Sequence, residues 1–216
     1  MSKPTFTVTG RAERALPPER SIVIVSIAID GVDRTLVSRL AADIHNRLVS
    51  AATAYRRTNA ATWHAASAPS THTYLKHFYG DEAGREPEQR FSAWSTITVK
   101  FQDFEVMADW LADLGAEESV NVHVSWALTV ATRHAIEAEI RGKAVANARV
   151  LAEQYAAGDG LSGLQLVSVD ATGGSRSFDG AIATRAAGSA QPVSVIIPND
   201  ITVSANVTAV FKVTNP

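Results

Sequence analysis

The sequence predicts an α+β fold of mainly antiparallel sheet, with a long alanine-rich helix and two shorter helices. Three observations predict it. Segments 91–101 and 201–213 alternate apolar and polar residues, the period of two that belongs to strands. Strand-like segments outnumber helix-like ones. The helix-like segments stand singly between them, enough to cover one face of a sheet. With 216 residues, 46% of them hydrophobic and 19% charged, the chain can bury a core without a metal or disulfide staple.

Taken in order, residues 4–10 are predicted as a short strand with Phe6 and Val8 on one face. Pro17-Pro18-Glu19 breaks the chain before the run Ile22-Val23-Ile24-Val25-Ser26-Ile27-Ala28-Ile29, whose β-branched residues predict a strand over 21–30 covered on both faces. Asp33 is placed to cap a helix over 34–53, with Leu36, Leu40, Ile44 and Leu48 on its buried stripe. A weaker strand is expected at 59–68. The polar stretch 69–90 carries Pro69, Gly80, Gly84 and Pro87 and is expected to form an excursion with a hairpin around Gly80. In the strand 91–101, Phe91, Ala93, Ile97, Val99 and Phe101 share one face, and Ser92, Trp94, Thr96, Thr98 and Lys100 the other.

Asp103 is placed to cap a short helix that buries Phe104, Met107, Ala108, Leu111 and Leu114 and stops at Gly115. Residues 118–130 form a strand with Val120, Val122, Val124, Trp126 and Leu128 inward. A long helix over 132–157 carries the stripe Ile136, Ile140, Ala144, Ala148, Leu151 and Tyr155, and Gly158 and Gly160 end it. A strand at 164–169 follows. Residues 171–199 are expected to be a long loop, with 171–190 a mobile arm and Val193-Ser194-Val195-Ile196-Ile197 adding a strand to a sheet edge. The chain closes on 201–213, apolar at every odd position. The order suggests one domain over 1–216 holding two β-α-β-β pseudo-repeats, about 21–101 and 118–213.

Composition excludes several classes of function. Twenty Lys+Arg against 22 Asp+Glu give a formal charge of −2, not the basic stripe that grips nucleic acid. The absence of cysteine removes thiol catalysis, iron–sulfur clusters, zinc–cysteine sites and disulfides together. No stretch approaches the ~18 uninterrupted apolar residues of a membrane-spanning helix. No apolar core follows Lys3, so with Met1 as the natural start the expected compartment is the cytoplasm. Fifteen arginines against five lysines, with 36 alanines, suggest a GC-rich bacterial genome.

Motifs that carry chemistry are scarce. His45, His64, His72, His77, His123 and His134 have no metal-ligand spacing and read mainly as solvated surface. Gly173-Gly174-Ser175-Arg176-Ser177 lacks the lysine and the spacing of a phosphate loop. No nucleophile elbow occurs. Glu117-Glu118 reads as turn charge and Arg56-Arg57 as a helix C-terminal pair. No catalytic, cofactor-binding or metal-binding residue is therefore assigned, and no cofactor is expected. Trp126 reads as core. Trp94 and Trp110, together with Val193, Val195 and Ile197, are the candidates for an interface. The expectation is a non-enzymatic, self-associating scaffold or interaction module. The alternative is a small-ligand-binding protein or hydrolase whose pocket is built from 69–90 and 171–199.

The chain resembles the SIMPL domain family, bacterial proteins filed as a domain of unknown function. The resemblance rests on Val8-Thr9-Gly10-Arg11-Ala12, Pro17-Pro18-Glu19, Phe91-Ser92-Ala93, Leu114-Gly115-Ala116, the alanines 144, 148 and 152, Leu161-Ser162-Gly163-Leu164 and the alternating last strand. It implies an α+β subunit that self-associates, some relatives building rings or channels. Many relatives carry a signal peptide and are periplasmic or envelope-associated, and this chain departs from them there. The family offers no agreed catalytic residues. Its name comes from a mammalian protein that associates with a signalling kinase, which again implies binding.

Overall fold

The computed structural model describes residues 4–80, 84–171, 176–178 and 198–215. Nine strands and three helices occur among them: β1 Thr5–Leu16, β2 Arg20–Gly31, α1 Arg34–Arg57, β3 Ala61–Ala66, β4 Ser70–Lys76, β5 Glu88–Phe101, α2 Phe104–Leu114, β6 Val120–Ala127, α3 Val130–Gly158, β7 Ser162–Asp170, β8 Arg176–Phe178 and β9 Ile201–Asn215. Every strand pair is antiparallel. The α+β class holds. The chain divides into two compact units, and chain order places the second unit between β1 and α3 of the first.

The first unit holds β1, α3, β7, β8 and β9, with strand order β1-β9-β7 and β8 alongside β9. Strand β9 is the spine, and its odd residues from Ile201 to Val213 are buried as the alternation predicts. Strand β1 runs twelve residues rather than the expected seven, because β9 offers a partner for each residue from Thr5 to Leu16. Polar Arg11, Glu13 and Arg14 hid that extension. Helix α3 covers the sheet with the row Ile136, Ile140, Ala144, Ala148, Ala152 and Ala156. Here the expected stripe is corrected: Leu151 is half-buried and Tyr155 is exposed. Rows of i+4 neighbours run obliquely on a helix, by about −26° to its axis. Following that row sets only alanines against the sheet from Ala144 onward, and the helix backbone comes close to it there.

Gly10 marks the closest approach. A Cβ there would lie 2.0 Å from the Ala144 carbonyl oxygen and 2.6 Å from the Ala148 nitrogen. Next to it, Asn147 Oδ1 accepts from the Arg11 backbone N–H, 3.4 Å away. Strand β8 pairs with Thr202–Ser204 of β9, so residues 176–178 belong to the sheet and not to a mobile arm. Val193, Val195 and Ile197, and most of the expected arm, lie outside the described residues.

The second unit holds β2 to β6 with α1 and α2, in the strand order β3-β5-β2-β6, with β4 also on β5. Strand β6 hydrogen-bonds to β2. The duplication expected on the boundaries 21–101 and 118–213, with β6 opening the second repeat, is not confirmed by this pairing. What the two units share is a pairing order, β3-β5-β2 in one and β7-β9-β1 in the other. The excursion 69–90 is partly sheet: β4 and the start of β5 form the hairpin expected around Gly80, whose φ of 67° is the left-handed geometry that favours glycine. Arg85 lies over the Phe78 ring, 4.2 Å from its centroid, within this connection.

Asp33 caps α1 by accepting from the Thr35 and Leu36 N–H groups at 2.8 and 3.0 Å, and Asp103 caps α2 in the same way. Helix α1 ends four residues later than predicted. Asn59, at φ 61°, turns the chain, and β3 begins only at Ala61. The buried face of α1 is Val37, Ala41, Leu48 and Ala52. Leu36 and Leu40, expected inside, are 47% and 40% exposed. In α2 the buried residues are Met107, Trp110 and Leu114, and Phe104, Ala108 and Leu111 are half-buried. The helices cover the odd residues of β2 and β5, from Ser21 to Ile29 and from Ala93 to Phe101. The even residues of β2 are half-buried or exposed, so β2 is not sealed on both faces.

Candidate interaction face

The face of the five-stranded sheet opposite its helices carries the feature that the alternation of β5 predicts. Trp94 projects from it with 49% of its surface exposed, where the helix-facing residues Ala93 and Ser95 on either side are buried. Its cross-strand neighbours are Ala28 on β2 and Ser70 on β4. Both are small, so neither can cover the indole. Trp63 stands opposite Lys100 on the same face and is 47% exposed.

One step further along β5 a charged network begins. Asp30 lies near the end of β2, Arg90 near the start of β5, and Tyr74 directly opposite Arg90 on β4. The Tyr74 hydroxyl donates to Asp30 Oδ2 at 2.6 Å, and Arg90 donates through Nε and Nη2 to Oδ1 at 2.7 and 2.6 Å. Arg90 also reaches Glu88 at 3.3 Å. His72, opposite Ser92, has its ring 6.4 Å from that of Tyr74. The Tyr74 hydroxyl and then the Arg90 guanidinium hold the Asp30 carboxyl below the ordinary carboxylate range, against its partial desolvation. The same bond to Asp30 raises the Tyr74 phenol.

The sign of the pH effect follows. A lowered carboxylate pKa adds stability that is present above the ordinary value and is lost as pH falls through the lowered one. The contribution is small because the network is exposed. Asp30→Asn is expected to lower stability slightly at neutral pH and to leave it unchanged in acid, where the carboxylate is already protonated, so the acid limb of the stability–pH curve flattens. Urea midpoints measured from pH 7 to pH 2 check it, and an acid limb unchanged by the substitution would refute it.

The other predicted residues fall elsewhere. Trp110 is 3% exposed, with Phe101 and Tyr55 rings 5.5 and 5.8 Å away, so it belongs to the unit's own core and not to its surface. Val193, Val195 and Ile197 cannot be placed, since they lie outside the described residues. Trp126 is core, as read, with Phe104 edge-on at 5.1 Å. Glu117 pairs with Arg47 at 2.6 Å.

Two histidines are structural rather than solvated. His45 Nδ1 lies 3.2 Å from Ser95 Oγ, and His64 Nδ1 is buried. The serine–histidine contact could suggest a nucleophile, but Ser95 is buried beneath α1, out of reach of a substrate. Among the described residues no group of three or more His, Asp or Glu side chains is placed to hold a metal ion. No described helix is long and apolar enough to cross a membrane.

Sequence reading found Trp94 but missed Trp63, Tyr74, Asp30 and Arg90. The available signal was the phase of β4: set against β5, its even residues fall on the face of Trp94. A family model described as SIMPL, protein of unknown function (DUF541), matches residues 6–211. A comparison with the curated proteins finds no match.

Proposed function

Since the chain belongs to the SIMPL family of unknown function, we propose that it is a non-enzymatic interaction protein that associates with further copies of itself through the Trp94 face. The observation that carries this is a half-exposed Trp94 on the same face and strand as Arg90, with Tyr74 opposite Arg90 on β4. Trp, Tyr and Arg are the side chains that most often anchor protein interfaces. Here Asp30 already restrains Tyr74 and Arg90, so little side-chain freedom is lost when a partner docks. The near-neutral charge favours a protein partner over nucleic acid. The pocket reading loses support, because 70–76 and 88–90 are strand residues of the sheet.

Light scattering at micromolar concentration tests the proposal. The chain is expected at a multiple of 23.0 kDa. Trp94→Ser is expected to return it to a single copy while changing stability by no more than about 0.5 kcal/mol, as for a surface residue. A 23.0 kDa particle for the unsubstituted chain would sink the proposal.

A further inference from the structure

Three buried side-chain atoms have no hydrogen-bond partner among the described residues: Ser21 Oγ, His64 Nδ1 and Trp126 Nε1. Two of the three are register partners. Ser21 of β2 stands directly opposite Trp126 of β6, and both side chains point to the helix-covered face. Directly opposite residues of an antiparallel pair have Cβ atoms about 4.5–5.5 Å apart. One orphan is an obligate donor, the indole N–H, and the other is a hydroxyl that both accepts and donates. Leaving both unpaired would cost the desolvation of two polar groups in the core of a single sheet.

From this pairing we infer that Ser21 and Trp126 hold a buried water molecule, which accepts from the indole N–H and shares a second hydrogen bond with the Ser21 hydroxyl. Buried waters sit where otherwise unsatisfied polar groups converge, and they need two to four such partners. The surroundings fit an entry path. Phe104 packs edge-on against Trp126 and also lines an open cleft with Arg20, Asn59, Gln102, Asp103 and Glu105. Arg20 and Gln102 are the chain neighbours of Ser21 and of its other register partner, Phe101. The site explains why a serine interrupts the helix-facing row that continues Val23, Val25, Ile27 and Ile29.

Ser21→Ala decides between the water and a pair of orphans by the sign of its effect. If the hydroxyl has no partner, removing it takes away a buried unsatisfied group, and the thermal midpoint rises or stays level. If the water bridges, alanine strands the indole N–H, and the midpoint falls by about 2–4 °C for a chain of this size. A second readout does not depend on stability. The Trp126 indole N–H resonance, assigned by its loss in Trp126→Phe, is expected to show cross-relaxation to a long-lived water in the unsubstituted protein and none in Ser21→Ala. A level or raised midpoint, or no indole–water cross-relaxation in the unsubstituted protein, overturns the inference.

Discussion

Replacing Gly10 by valine is expected to cost the first unit roughly 3 kcal/mol or more, at or beyond the upper end for overpacked sites. The reason lies in which atoms a side chain would meet. The nearest are the Ala144 carbonyl oxygen at 2.0 Å and the Ala148 nitrogen at 2.6 Å, both helix backbone, followed by Ala148 Cβ at 2.8 Å. None of these can swing aside as a long side chain could. Helix α3 must lift from β1, and the buried row from Ile140 to Ala152 loses contact together. The gain from reduced chain freedom, about 0.5–1 kcal/mol for replacing a strand glycine, is too small to offset this. Gly10→Ala is expected to fall between the two. Urea unfolding followed by circular dichroism gives the measurement. A midpoint for Gly10→Val equal to that of the unsubstituted chain would mean that α3 does not seat on β1 at this point.

Phe101→Ala is expected to cost the second unit about 3–5 kcal/mol, the range for emptying a buried aromatic site. Phe101 is fully buried at the end of β5, with Tyr55 of α1 at 5.4 Å and Trp110 of α2 at 5.5 Å. It is the ring that both helices share on one sheet, so the cavity would be walled by three different elements that cannot collapse independently. Burial is also the first cause of the raised Tyr55 phenol, ahead of Asp113 and Asp109. The variant should therefore let Tyr55 ionise at lower pH, visible in the ultraviolet titration. A loss below about 1 kcal/mol would show that the three rings are not a supporting cluster. Trp94→Ser provides the contrast: an aromatic of the same strand, seven residues earlier, whose removal is expected to change assembly and not stability.

The strands were the most legible part of the chain. The inward and outward residues of β5 and β9 could be assigned from alternation alone, because a period of two leaves each side chain only two faces. Both aspartate caps were legible for a similar reason: a short acceptor before a periodic segment has a local job that needs no tertiary partner. Trp94 was found as an exposed aromatic by this route. Its companions were not, since Tyr74, Arg90 and Asp30 come together only once three strands are set in register.

The helices show where sequence reading stops. In both long helices the larger residues, Leu36 and Leu40 in α1 and Leu151 and Tyr155 in α3, were assigned inward on hydrophobicity. The structure instead turns Val37, Ala41 and Ala52 of α1 and Ala152 and Ala156 of α3 inward, beside Leu48, Ala144 and Ala148, which the pattern had placed there. Hydrophobic patterning ranks residues by what burial gains, but a helix lying close to a sheet selects them by the space left between backbones. Gly10 and Ala144 set that space from opposite sides, and neither reveals the other in the sequence. The sequence by itself determined the α+β class, the alternating strands β5 and β9 with their faces, the two aspartate caps and the family. Only the tertiary structure decided that β6 joins β2 and that β1 joins β9, because strand pairing is a long-range choice that local patterning cannot encode.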